Sequence, residues 1–247
     1  MRLTRIYQPI AALQTEQLIP LSTEAAHYLT RVLRLSEGAH FIVFNDQGGE
    51  FVARLVRNKK NVCAYLQEYC ATTRESNLKI YLGQAVSSIQ KMDYTVQKTV
   101  ELGLTSFSPI LSEYCQVHLS EERWPKRLRH WQAVAVSACQ QSGRTLVPNV
   151  TRPYHFLEWV QTISADIKYI LHPNAATSLC MHVEKPCTLA LLIGPEAGWS
   201  PIEYEQALTH HFTAITLGPR VLRTETASVS AVAVLQSLFG DLMIKVS

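Results

Sequence analysis

The chain has 247 residues, 47% hydrophobic and 17% charged, with 10 glycines and 11 prolines, a balance that excludes collagen-like, low-complexity and disordered classes. A formal net charge of +3 excludes the heavily basic type of nucleic-acid binder but leaves room for a local basic patch. The 6 cysteines form no C-x-x-C pair and the 9 histidines no H-x-x-x-H spacing, so the thiols read as structural and no metal site is expected.

From Arg2 to about Cys70 the pattern is short and strand-like. Thr23 to Leu35 first places Ala26, Leu29, Val32 and Leu33 at helical spacing and runs toward Gly38, which predicts one amphipathic helix with Arg31 and Arg34 a turn apart. Strands follow at Phe41 to Phe44, Phe51 to Val56 and Val62 to Leu66, the first two joined by a turn at Asn45-Asp-Gln-Gly-Gly49. The polar stretch 71–77 has no periodicity and reads as a linker.

Beyond it strands and helices alternate. Leu78 to Ala85 is strand-like; Met92, Val96 and Val100 mark a helix to Leu102 that Gly103 ends; Phe107 to Leu111 is the next strand. Trp124 to Gln141 carries Leu128, Trp131, Val134 or Ala135, and Ala138 on one face and closes at Gly143, so the two tryptophans read as core rather than as a stacking surface. Ile167 to Leu171 and Thr188 to Ile193 are apolar runs suited to central parallel strands. Ser200-Pro-Ile-Glu203 is a capping box that opens a helix to about His210, and a strand from Ala214 to Leu217 precedes a helix from about Glu225 to Phe239. This alternation predicts an α/β fold with a parallel sheet. The longest apolar stretch, Ala227 to Phe239, is broken by Ser228, Ser230, Gln236 and Ser237. It falls short of the roughly 20 residues a membrane span needs. Arg2, Arg5, Gln8 and Pro9 interrupt any secretory leader, and the expected location is the cytoplasm.

In open α/β sheets ligands sit beyond the carboxyl ends of strands, which directs attention to the loops after Leu171, Ile193 and Leu217. They read Leu171-His-Pro173, Ile193-Gly-Pro-Glu-Ala-Gly-Trp199 and Leu217-Gly-Pro-Arg-Val-Leu-Arg-Thr-Glu-Thr226. Their glycines let backbone approach a ligand and their prolines fix loop shape, so backbone amides and carbonyls can bond a flat heterocycle. Neither G-x-G-x-x-G, G-x-x-x-x-G-K-[ST] nor G-x-S-x-G occurs, which removes Rossmann dinucleotide binding, P-loop hydrolysis and serine hydrolysis.

These loops, with Gln97-Lys-Thr-Val-Glu-Leu-Gly103, Ala138-Cys-Gln-Gln-Ser-Gly-Arg144, Arg2 to Tyr7 and Arg31-Val-Leu-Arg-Leu35, resemble the bacterial 16S ribosomal RNA uridine-N3 methyltransferases of the SPOUT superfamily. The resemblance runs nearly the full length. It implies a PUA-like RNA-binding barrel at 1–70, the linker at 71–77, and a SPOUT domain at 78–247 with a carboxyl-terminal trefoil knot. It further implies a homodimer that binds S-adenosylmethionine and acts on 16S rRNA within the assembled small ribosomal subunit.

By carry-over, the cofactor pocket is formed by Leu171, His172 and Pro173; by Ile193, Gly194, Pro195, Glu196 and Gly198; and by Leu217, Gly218, Val221, Leu222, Arg223, Thr224, Glu225 and Thr226. Arg223 is expected to steady negative charge on uracil O2 or O4, and Glu225 to orient the base or relay a proton. The alternative is that these two pair with each other to hold the loop. RNA contacts are expected from Arg2, Arg5, Arg31 and Arg34 of the small module and from Lys91, Arg144 and Arg220 near the cleft. Two positions depart from the family: Ala197 stands where a second glycine is usual, which requires a negative φ, and Tyr114 where an arginine is common. The competing classes are a catalytically degenerate RNA-binding or ribosome-assembly factor and a SPOUT methyltransferase acting on another RNA.

Overall fold

Alternation of apolar and polar residues at a period of two shapes the first part of the chain, and near-continuous apolar strands shape the second. The structure, a computed structural model, describes residues 3–58, 61–72, 74–117, 119–178 and 186–243. The chain divides into two compact units, Met1–Glu75 with Cys139–Val147, and Ser76–Ala138 with Pro148–Ser247.

The first unit contains β1 (Arg5–Tyr7), β2 (Leu18–Pro20), α1 (Thr23–His27), β3 (His40–Phe44), β4 (Glu50–Asn58) and β5 (Asn61–Cys70). They form a sheet in the order β1-β3-β4-β5-β2, antiparallel except for β1 beside β3. In β4, Phe51, Ala53 and Leu55 are buried while the residues between them are partly or fully exposed, so one face meets the core. Leu29, Phe41, Val43 and Leu66 join that core.

The helix expected from Thr23 to Leu35 stops being α-helical after His27. Tyr28–Val32 forms a π turn, closed by the Leu33 amide donating to the Tyr28 carbonyl at 2.9 Å. The wider turn keeps Leu29 fully buried but rotates Val32 off the apolar face, leaving it 58% exposed. Arg34, at φ +54, takes the left-handed position that ends the helix, a role the sequence pattern assigned to Gly38.

Charge is buried in this unit. The Arg5 guanidinium bonds the Glu50 carboxylate, its Nη2 donates to the Arg144 carbonyl at 2.8 Å, and its plane lies 4.8 Å from the Phe44 ring centre. Arg144 pairs with Glu75 at 2.6 Å, and Glu75 also accepts from the amides of Thr145 and Leu146. The segment Cys139–Val147 is thereby tied to the strands it accompanies. The same surroundings push the Cys139 thiol up to about 12, chiefly through burial, which keeps it an inert packing group.

The second unit runs β6 (Lys79–Ala85), α2 (Ile89–Glu101), β7 (Ser106–Leu111), α3 (Trp124–Ser142), β8 (Asn149–Val150), β9 (Tyr154–His155), α4 (Phe156–Thr162), β10 (Ile167–Leu171), β11 (Thr177–Ser178), β12 (Thr188–Ile193), α5 (Pro201–Thr209), β13 (Thr213–Thr216) and α6 (Thr224–Leu238). The last turn of α3 groups with the first unit. Every strand pairs in parallel, in the order β11-β13-β10-β12-β6-β7-β8, with β9 also on β7. Leu189 to Ile193 of β12 are all buried, as a strand covered on both faces requires.

The helices follow their apolar faces. Trp124 and Trp131 of α3 are buried with their ring centres 6.3 Å apart, and the Trp131 indole donates to Asp93 of α2 at 3.0 Å. Ala135, not Val134, continues the buried face. Gly103 ends α2 at φ +91, and a Cβ there would lie 2.7 Å from the Gln236 amide. The expected capping box at the start of α5 is present in full.

Removing one partner of a buried pair strips the other of its compensation. Glu75→Ala is therefore expected to lower the free energy of unfolding by about 3 kcal/mol, measured by urea denaturation. A loss under about 1 kcal/mol would show that the pair behaves like one on the surface.

Candidate functional site

The strand order reverses between β6 and β12, and the crevice beyond such a point is where an open parallel sheet takes its ligands. On the β12 side of that point the exits of three neighbouring strands, β13, β10 and β12, line one cavity of about 460 Å³, a volume typical of small-molecule sites. After β10 the lining is Leu171, His172 and Pro173. After β12 it is Ile193, Gly194, Pro195, Glu196, Ala197, Gly198 and Trp199. After β13 come Thr216, Leu217, Arg220, Val221, Leu222, Arg223 and Thr224, with Ala227 a turn into α6.

Three of the expected pocket residues lie off this lining. Gly218 turns the chain at φ +101, and Glu225 and Thr226 sit on the first turn of α6. The lining adds Trp199, Thr216, Ala227 and Arg220, the last expected only as an RNA contact, to the expected set, and Ala197, the departure from the family pattern, belongs to it as well. The signal for Trp199 was its place between the loop glycine and the capping serine.

Side-chain hydrogen bonds tie the three exits together. The Trp199 indole donates to the Leu171 carbonyl at 3.3 Å, and the Thr224 hydroxyl to the Gly194 carbonyl at 2.7 Å. The His172 amide donates to the Ile215 carbonyl at 2.9 Å. A Cβ on Gly194 would lie 3.3 Å from the Trp199 ring, so glycine makes room for the indole, which packs on Phe156 at 5.1 Å. The Gly198 amide closes a turn on the Pro195 carbonyl at 3.0 Å. Gly198 alone in that turn has a positive φ, +79, so Ala197 meets the condition that alanine imposes. Glu203 of the capping box also accepts from Ser112 and from the Glu113 amide, joining the loop after β7 to α5.

Arg220 and Arg223 are exposed at the rim. Among the described residues Arg223 and Glu225 form no ion pair, and the Glu225 Oε2 is buried without a hydrogen-bond partner. No group of three or more His, Cys, Asp or Glu side chains gathers as a metal site among the described residues. Of the arginines expected to meet RNA, Arg31 and Arg34 are exposed, and Arg2 lies outside the described residues. Arg5 and Arg144 are each 6% exposed and face carboxylates within the first unit, so their charge is spent internally.

Lys91, in the first turn of α2, bonds Glu196 at 2.7 Å. Burial pushes the Glu196 carboxyl up, but the Lys91 bond, the loop's own amide and the Lys91 charge together hold it below its ordinary value. A carboxyl so held keeps the contact above the ordinary carboxylate range and gives it up only as pH falls through its own lowered value. Lys91→Met is expected to move the Glu196 titration toward higher pH, followed by carboxyl NMR shifts. An unmoved titration would mean that the lysine does not hold the carboxylate.

A family profile described as RNA methyltransferase domain matches residues 74–236, and one described as RNA methyltransferase PUA domain matches residues 21–64. The chain is similar to the ribosomal RNA small subunit methyltransferase E of Buchnera aphidicola from Schizaphis graminum, 35% identical over 98% of both chains. A protein from Legionella pneumophila, solved with the cofactor SAM bound, is 39% identical with a TM-score of 0.93, over 98% of this chain and 100% of that one. The ribosomal RNA small subunit methyltransferase E of Neisseria gonorrhoeae, solved with S-adenosyl methionine, is 37% identical with a TM-score of 0.90, over the same shares. The chain belongs to the RNA methyltransferase family of ribosomal RNA small subunit methyltransferase E, a methyltransferase domain preceded by a PUA domain.

Proposed function

We propose that this chain transfers a methyl group from S-adenosylmethionine to N3 of a uridine in 16S rRNA, as a homodimer acting on the small ribosomal subunit in the cytoplasm. The observation that carries this reading is the convergence of three strand exits on one cavity with Arg223 at its rim. The lining suits the cofactor: it is largely apolar and backbone, with Glu196 its one carboxylate, and Gly198 presents open backbone that no Cβ obstructs. Leu171, Gly194, Leu217 and Leu222 would hold the cofactor, which supplies an electrophilic methyl on a positive sulfur. The SPOUT trefoil knot belongs to the same reading, and the insertion of β12 between β6 and β10 fits it.

Uridine N3 carries a weakly acidic proton and is normally paired, so the base must leave its stack and lose that proton. Arg223, exposed at the N-cap of α6, can bond O2 or O4 of the uracil as negative charge gathers there. Glu225 stands off the cavity lining on the first turn of α6, with one buried oxygen that has no hydrogen-bond partner among the described residues, so the relay of the N3 proton assigned to it in this reading requires the base to reach that turn. Placing N3 in line with the methyl is worth roughly 7 to 11 kcal/mol by effective molarity, so positioning dominates the acceleration.

Exposed Arg31, Arg34 and Arg220 are suited to phosphates of the RNA. Val221, at the cavity rim, is 85% exposed, which fits a second copy of the chain covering it. No helix among the described residues is long and apolar enough to cross a membrane.

Arg223→Ala is expected to keep S-adenosylmethionine binding within about threefold of wild type by calorimetry while methyl transfer to small subunits falls at least tens-fold, a loss typical of one missing charge-stabilising donor. Mass spectrometry of the recovered 16S rRNA identifies the product as 3-methyluridine. A fully active variant removes Arg223 from the mechanism. Absence of S-adenosylmethionine binding would favour a degenerate assembly factor, and transfer only to another RNA would reassign the substrate.

A further inference from the structure

Gln84, near the carboxyl end of β6, is a fully buried amide in a strand whose Ile80 and Leu82 are apolar. An amide in such a place is costly unless each of its groups is paired. All of them are. Nε2 donates to the Ala85 carbonyl at 3.1 Å and to the Thr224 hydroxyl at 2.8 Å, and Oε1 accepts from the Ser228 hydroxyl. A carbonyl can only accept, so the Ala85 oxygen fixes which end of the amide carries the protons.

That orientation has a directional consequence. The Thr224 hydroxyl owns one proton, and because it accepts from Gln84 it must aim that proton elsewhere. It aims at the Gly194 carbonyl, 2.7 Å away in the loop after β12. We propose that Gln84 is a positioning residue: through Thr224 it fixes the Gly194 carbonyl, and with it the Gly194–Trp199 wall of the cofactor cavity. The inference rests on the reading that this cavity holds S-adenosylmethionine. A methionine would fill the same space without burying polar atoms, so packing alone gives no reason for an amide.

The test uses the full chain and two variants that separate polarity from volume. Gln84→Glu removes at least one of the two Nε2 donors: an ionised carboxylate offers only acceptors and draws the Thr224 proton from Gly194, and a carboxyl that burial keeps protonated has a single O–H that cannot serve both Ala85 and Thr224. In Gln84→Met the Thr224 hydroxyl keeps its proton but loses the donor that orients it. S-adenosylmethionine affinity by calorimetry is expected to fall about threefold in the methionine variant and about tenfold in the glutamate variant, the scale of one lost hydrogen bond. The KM for S-adenosylmethionine rises in step, while the KM for the RNA and kcat at saturating cofactor stay within about twofold. Wild-type affinity in Gln84→Met overturns the proposal, as does an equal loss of kcat and RNA affinity. If Gln84→Glu does not fold, Gln84→Met decides alone. If the wild-type chain itself shows no heat with S-adenosylmethionine, the reading of the cavity fails, a result distinct from tight wild-type binding with unaffected variants.

Discussion

A strand buried on both faces has no polar surface except at its ends, and that constraint organises the second unit. β12 is apolar and buried from Leu189 to Ile193, so toward its carboxyl end the chain regains polar character only where it leaves the sheet at Gly194. The carbonyls and amides freed at that point, and at the exits of β10 and β13, must find partners. Thr224 and Trp199 satisfy two of the carbonyls, and in doing so draw three loops from distant parts of the sequence around one cavity. The cavity is therefore a product of how the strand ends are satisfied.

Much of this was legible beforehand because the signals were local. The apolar runs of β10 and β12, the capping serine and glutamate of α5, and the glycines that close α2 and α3 each act within a few residues of their own position. The convergence of three exits was legible from the position rule for open sheets together with the glycines and prolines at each exit. What stayed hidden depends on contacts far apart in sequence. The π turn after α1 answers to the burial of Leu29 against strands that follow it, and no helical period announces such a turn. α4 is only 7 residues long, with Phe156, Trp159 and Val160 too few to stand out as a periodic pattern. Arg5 and Arg144 show the limit most plainly: an arginine destined for Glu50 or Glu75 reads like one destined for a phosphate until the fold brings the carboxylate to it.

Gln84 was hidden for a related reason. A glutamine inside an apolar strand is a local inconsistency, and inconsistencies of that kind gather at sites that must hold a shape. Its partners, Thr224 and Ser228, lie 140 and 144 residues further along, so their spacing carries no sequence signal.

The charge layout of the cavity follows from the reaction proposed for it. A positive sulfonium and a negative uridinate neutralise each other as the methyl moves, so a site rich in fixed charge would stabilise the separated ions more than the transition state. The lining contains a single carboxylate, Glu196, and Lys91 already answers its charge. The arginines stand at the rim, exposed, where Arg223 can meet the oxygens of the base without pressing on the sulfur. Apart from the Lys91–Glu196 pair, the hydrogen bonds that join the walls are neutral, Thr224 to Gly194 and Trp199 to Leu171. A cavity shaped by neutral bonds can hold both reactants in line while binding neither charge tightly, which is what transfer between opposite charges demands of its enzyme.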